Sequence, residues 1–190
     1  MKELILASVS PRRSDILKQL GLTFRVEPST VQEFGLENDP KFWPRLYAAM
    51  KAKEVSIRFP EAIVLGCDTL VYSDGLPLGK PKNKEEACSM LESLNGRVHQ
   101  VLSGVAFAYG GEVLMSGIGE TEVFFRNNKP QELLDYVNSL EPMDKAGAYG
   151  IQGRGASLVK SINGCYYNVV GLPVALMLDM YKEVRNSLCR

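Results

Sequence analysis

The sequence predicts a mixed-sheet α/β or α+β domain, and three observations carry that reading. The chain opens as a buried strand, a polar turn and an amphipathic helix. Helices then alternate with apolar strand runs through its first half, and antiparallel pairs dominate its second. With 190 residues the chain is long enough to bury a proper core as one domain, or as one domain with a small lobe.

Leu4, Ile5, Leu6 and Ala7 form a short apolar run suited to a strand buried on both faces. Ser10 is a good N-cap, Pro11 suits the first helical position, and Ile16, Leu17 and Leu20 repeat at helical spacing until Gly21. Residues 23–27 read as a second strand and 28–40 as an exposed acidic loop carrying Glu33, Glu37 and Asp39. Over 42–58 a helix is expected in which Leu46, Ala49, Met50, Lys53 and Ile57 share a side, while Lys51 leads into a charged face. Residues 62–70 are the second strongly apolar strand, expected to end on Asp68 and Thr69. The turn Ser73-Asp74-Gly75 predicts a small hairpin with 76–78. Asn83, with Glu86 three residues on, caps a helix through Leu94 that Gly96 closes. Residues 98–109 and 112–125 flank Gly110-Gly111 as a long hairpin, and 130–140 are helical. Residues 141–155 have four glycines and no apolar periodicity, which makes them a shaped loop of the kind that is usually functional. A last hairpin is expected between 156–162 and 166–170 across Asn163-Gly164, and Pro173 opens a final helix to about residue 185.

Composition excludes several classes. Lys plus Arg equals Asp plus Glu at 22 each, so the global field favours no partner class, and no nucleic-acid partner is expected. Cys67, Cys88, Cys165 and Cys189 form no C-x-x-C pair, so free thiols in a reducing compartment are the expectation. No signal-peptide core and no window near a membrane span is readable, so the protein is expected to be soluble and cytoplasmic, with no membrane partner. There is no G-x-x-x-x-G-K-[ST], H-E-x-x-H or G-x-S-x-G, and Gly153-Arg154-Gly155 lacks the third glycine of a dinucleotide fingerprint at Leu158. His99, the lone histidine, fits no triad or metal spacing and reads as structural.

The chemistry must therefore be local. Where the first strand meets the first helix, unpaired backbone N–H groups, the helix dipole and the forked donors of Arg12 and Arg13 suit an anion, best a phosphate. If those arginines were merely solvated, their position against the dipole would lack a compensating reason. Lys51, Lys53, Lys80 and Lys82 are weak signals singly, because a surface lysine is normally solvated. Asp68 stands out more, since a carboxylate closing a buried strand needs a partner or a metal.

Seven motifs in order, Ala7-Ser8-x-Ser10-Pro11-Arg12-Arg13, Lys51-Ala52, Asp68-Thr69, Gly79-Lys80-Pro81, Gly96-Arg97-x-His99, Asp144-Lys145-Ala146-Gly147-Ala148-Tyr149-Gly150-Ile151-Gln152-Gly153 and Asn168-Val169-Val170-Gly171-Leu172-Pro173, resemble the Maf family of nucleoside triphosphate pyrophosphatases. The resemblance runs over nearly the whole chain and implies a single Maf-like domain over 1–190. It implies an elongated α/β fold with a mixed twisted sheet and two lobes around a central cleft, similar to inosine triphosphate pyrophosphatases. The activity implied is cleavage between the α and β phosphates of a nucleoside triphosphate. The Asp144–Gly153 motif has the form seen in the dTTP/UTP branch, which implies a nucleotide-pool sanitising role that extends to modified uridine nucleotides. By the same resemblance Asp68 falls on the proton acceptor, Arg12, Thr69 and Gln152 on specificity positions, and Ser8, Arg13, Lys51 and Lys80 on the phosphate-binding lining. Glu33 and Asp68 would hold a divalent metal, with magnesium expected and manganese or another divalent ion as alternatives. A homodimer is also implied. The rival implication is a nucleotide-binding regulator of septum formation with little catalysis; retention of Asp68 favours the enzyme.

Overall fold

In a computed structural model, residues 2–33, 35, 37 and 39–189 are described, and the N-terminal apolar run is strand β1 (Leu4–Leu6), buried throughout. The polar turn leads into α1 (Pro11–Gln19), followed by β2 (Arg25–Val26), which is shorter than the sequence predicts. Ser10 has the extended backbone of an N-cap, but its side chain makes no capping bond; its own N–H donates to Ser8 Oγ at 3.3 Å. A 3₁₀ turn then enters α2 (Trp43–Arg58), followed by β3 (Ile63–Ser73), β4 (Leu76–Leu78), α3 (Lys84–Leu94), β5 (Val98–Tyr109), β6 (Glu112–Phe125) and α4 (Pro130–Asn138). The chain ends in β7 (Val159–Asn163), α5 (Tyr166–Val170) and α6 (Val174–Leu188).

Among the described residues seven strands form one mixed sheet in the order β2-β1-β3-β5-β6-β7, with β4 pairing β3. β1 runs parallel to both β2 and β3, while β4 and β7 run antiparallel to β3 and β6. The expected mixed α/β class is therefore the observed one. No helix among the described residues is long and apolar enough to cross a membrane.

The chain divides into two compact units, Met1–Asp68 with Ser103–Gly119 and Gly171–Arg190, and Thr69–Leu102 with Glu120–Val170. In the first, α2 lies on Ile5, Val64, Ala106 and Ala108 through Ala48, Ala52 and Val55. Phe107, between those two alanines, points the other way and stacks on Tyr181 of α6 at 5.5 Å. In the second, α3 and α4 supply Ala87, Leu91, Leu94, Leu133 and Val137 to a core shared with Val101, Val123 and Phe125.

Three expectations fail for physical reasons. The face of α2 chosen from its large apolar residues is the wrong one: Met50 and Ile57 are exposed, and the buried face is Pro44, Tyr47, Ala48, Lys51, Ala52, Val55 and Ser56. Close approach decides it, because a Cβ on Gly66 would lie 2.1 Å from Ala48 O, and one on Gly104 would lie 2.0 Å from Pro44 O. A helix that near the sheet meets it with alanines. Secondly, β3 does not end on Asp68 and Thr69 but runs on to Ser73, where the expected hairpin with β4 begins. Thirdly, residues 166–170 form α5 rather than a hairpin strand, and β7 pairs with β6 instead. Thr121 overrides the local turn signal. Its Oγ1 accepts from Cys165 N at 3.0 Å and from Asn168 Nδ2 at 3.1 Å, and a Cβ on Gly164 would meet it at 2.7 Å.

Candidate functional site

The first unit gathers six of the candidate residues: Ser8, Arg12, Arg13, Glu33, Lys51 and Asp68. The turn after β1 is held by Ala7 N donating to Leu65 O at 2.8 Å, which leaves Ser8 buried at its start. Arg13, on the first turn of α1, reaches back to donate from Nη1 to Ser8 Oγ at 2.9 Å and from Nε to Gly171 O at 2.9 Å. That single guanidinium fixes the turn to the segment entering α6. Arg12 beside it is half-buried.

The second feature of this unit is an ion cluster. Side chains alternate along a strand, so Asp68 shares with Gly66 the face of β3 that α2 approaches. Because Lys51 lies on the helix face carrying Ala48 and Ala52, its ammonium is delivered to that carboxylate. Lys51 Nζ donates to Asp68 Oδ1 at 2.7 Å and to Glu33 Oε1 at 2.5 Å. The Lys51 and Asp68 side chains are only 11% and 12% exposed, whereas Glu33 is 51% exposed. Lys51 is thus not the lead into a charged face that its sequence neighbours suggest. Burial pushes the Asp68 carboxyl up from its ordinary value, Lys51 pulls against that shift, and the Glu33 carboxylate adds to it. Upward is the direction favoured here, since one ammonium is divided between two carboxylates and Asp68 is the more buried of them.

The second unit contains Thr69, Lys80 and Gln152. Thr69 is half-buried, and Lys80 and Gln152 are exposed. The turn carrying Lys80 is joined to the glycine-rich loop by Gly147 N, which donates to Gly79 O at 3.0 Å. In that loop Gly147, Ala148 and Gly153 all take positive φ, and Gln152 enters a short 3₁₀ stretch, Gly153–Leu158. His99 is buried in this unit with Nε2 2.7 Å from Tyr149 Oη and edge-on contacts to Phe125 and Tyr149, as a structural histidine should be. Burial lowers its pKa to about 4.

Sequence reasoning missed Glu141. Its Oε2 accepts from Arg154 N at 3.1 Å, and its Oε1 accepts from Gly155 N and the Tyr136 hydroxyl, each at 3.2 Å. The available signal was a demand for acceptors, because a glycine-rich loop without helix or sheet must place its amides on something.

Among the described residues no group of three or more His, Cys, Asp or Glu is placed to hold a metal ion. Glu33 and Asp68 are the carboxylates that converge. Both send an oxygen to the same point, Lys51 Nζ, and such hard oxygen donors fit a cation that draws its other ligands from phosphate and water.

Fold and site define a mixed α/β protein whose first unit holds a buried carboxylate–lysine pair close to an arginine-bearing turn. The chain belongs to the Maf family: the family model described as Maf-like protein matches residues 3–184. A dTTP/UTP pyrophosphatase of Symbiobacterium thermophilum is 50% identical over 184 residues, 96% of this chain and 94% of that protein. A second protein of that name, from Pelotomaculum thermopropionicum, is 46% identical over 187 residues, 96% of this chain and 97% of its own length. Among solved structures, a HAM1 protein from Coxiella burnetii superposes with a TM-score of 0.53 at 16% identity, covering 96% of this chain and 100% of that one. That likeness is one of fold.

Proposed function

We propose that this protein is a nucleoside triphosphate pyrophosphatase that hydrolyses dTTP, UTP and modified uridine nucleotides to the monophosphate and pyrophosphate, sanitising the nucleotide pool of the cytoplasm. The observation that carries the reading is the buried Asp68 carboxylate held 2.7 Å from Lys51 Nζ beside Glu33. Its support is the near-full-length identity to relatives named for this activity. A purely regulatory, non-catalytic role is not favoured, since a nucleotide sensor needs cations but no buried base.

Asp68 Oδ1 is committed to Lys51, so Oδ2 is the atom that takes the proton from the attacking water. Burial assists, because a carboxylate whose pKa is raised toward working pH is the stronger base. Lys51, Arg12 and Lys80 neutralise phosphate charge, and Ser8 and Arg13 shape the turn that receives it. Magnesium, or manganese in its place, would be held by Glu33 and Asp68 with ligands completed by phosphate. When bound it supplies charge neutralisation and a more acidic water. Gln152 offers both a donor and an acceptor, which match N3–H and O4 of uracil or thymine, with Arg12 and Thr69 as the further specificity residues. One methyl is worth only about 1–3 kcal/mol in an apolar pocket, which explains acceptance of both dTTP and UTP. The working form is a homodimer with neither a nucleic-acid nor a membrane partner.

The test is pyrophosphate release from dTTP, UTP, CTP, 7-methyl-GTP, GTP and ATP with magnesium, for wild type and Asp68→Asn. Release from dTTP and UTP that falls at least about a hundredfold in the variant is expected for loss of the base. No cleavage of any triphosphate by wild type overturns the reading.

A further inference from the structure

We propose that Glu141, seconded by Tyr136, is a positioning residue for base recognition: its carboxylate gathers the amides downstream of Gln152 and so sets how that side chain is presented. The inference rests on the assignment of Gln152 to the nucleobase.

The geometry is that of a template. Arg154 N lies 3.1 Å from Glu141 Oε2, and Gly155 N and Tyr136 Oη lie 3.2 Å from Oε1. The Tyr136 hydroxyl in turn accepts from Gly150 N at 3.2 Å, so amides on both sides of Gln152 are fixed to one acceptor system. Burial raises the pKa of Tyr136, which keeps its proton on the phenol and available to Glu141. Lys145 secures Glu141 from behind by donating from Nζ to its backbone carbonyl at 2.5 Å. Space is as constrained as bonding. A Cβ on Gly153, which has φ +62°, would lie 2.9 Å from Glu141 Oε2, and one on Gly155 would lie 2.2 Å from Gly150 O and 2.7 Å from Tyr136 Oη. The backbone around Gln152 therefore closes on the carboxylate with no room for a side chain. Gln152 itself is exposed, so its aim depends on the backbone that carries it.

All three groups facing this carboxylate are donors. A glutamine keeps one acceptor oxygen but turns an NH₂ toward at least one of them, so Glu141→Gln loosens the template while preserving side-chain volume. Tyr136→Phe removes the relay to Gly150 together with the hydroxyl's own bond to Glu141, and leaves the Arg154 and Gly155 amides on the carboxylate.

The experiment compares wild type, Glu141→Gln and Tyr136→Phe by kcat/KM on UTP and CTP and by amide hydrogen exchange at Gly150, Arg154 and Gly155. We expect Glu141→Gln to speed exchange at Arg154 and Gly155 at least tenfold and to lower the UTP-over-CTP preference at least tenfold. Tyr136→Phe should speed exchange at Gly150 and lower the preference less. A merely structural residue would reduce both substrates alike, so an unchanged preference overturns the proposal, as do unchanged exchange rates or a wild type that does not distinguish UTP from CTP. Should wild type cleave no triphosphate, the pyrophosphatase reading fails by itself. Calorimetric binding of UMP and CMP to the same three proteins then decides the proposal by the same criterion.

Discussion

At the scale of single residues, two buried ionisable groups pull stability in opposite directions with pH. His99 is neutral in the core with a pKa lowered to about 4, against 6.5 ordinarily. Its contribution is fully present above pH 6.5 and is lost as pH falls toward 4, where the unfolded chain binds a proton that the native one refuses. The whole shift corresponds to about 3 kcal/mol. Urea titrations from pH 7 to 4 should show that loss in wild type and a flatter profile in His99→Gln. Asp68 has the other sign. With its pKa raised by burial, its contribution is present below the ordinary carboxylate range and lost as pH climbs through the raised value. Melting temperatures of Asp68→Asn relative to wild type should accordingly move in the variant's favour between pH 4 and 8, and a constant difference would show that the carboxylate is fully compensated. The sequence announced Asp68 as a carboxylate among apolar neighbours. What it hid was Lys51, whose burial depends on how a helix lies on a strand 17 residues away.

At the scale of elements, the boundaries that depend on local chemistry were legible and the faces that depend on proximity were not. Asn83 accepts from Glu86 N at 2.8 Å, and Gly96 takes φ +68°, as cap and stop signals require. The α2 face went wrong because hydrophobic periodicity weighs large residues, whereas this interface selects small ones. Tyr166–Val170 went wrong because β-branched and aromatic composition speaks for strand until Thr121 takes the Cys165 amide and Asn168 donates to Thr121 and to the Val101 carbonyl. The α2 contact yields a sharp prediction. Gly104→Ala would place a methyl 2.0 Å from Pro44 O, and Gly66→Ala would place one 2.1 Å from Ala48 O, so neither fits unless the helix moves. Each should cost about 3 kcal/mol or more in urea denaturation. Gly66→Ala should also depress turnover beyond its effect on folding, because moving α2 away from β3 withdraws Lys51 from Asp68.

At the scale of the whole molecule, balanced charge leaves no net long-range field to recruit a polyanion, so under the proposed function the hold on a small triphosphate must come from a few cations held at fixed points. Family membership was legible because seven motifs stand in one order along the chain, and the family model matches residues 3–184. The glycine-rich stretch was legible as a shaped loop, but its organising carboxylate, Glu141, lies outside the Asp144–Gly153 motif and became visible only through the amides it gathers. Ligand linkage offers the corresponding test. An α,β-methylene analogue of dUTP, which resists cleavage at the α–β bridge, should stabilise the protein by about 2.7 kcal/mol at a hundredfold its Kd. That is a rise of roughly 5–10 °C in Tm for a chain of this size. Chelation of divalent ions should remove most of the rise if Glu33 and Asp68 take up a metal along with the phosphates, and little of it if the lysines and arginines alone hold the ligand. Chelator without analogue should change Tm far less than chelator with it, because in the free protein Lys51 already bridges the two carboxylates and offsets one of their two charges.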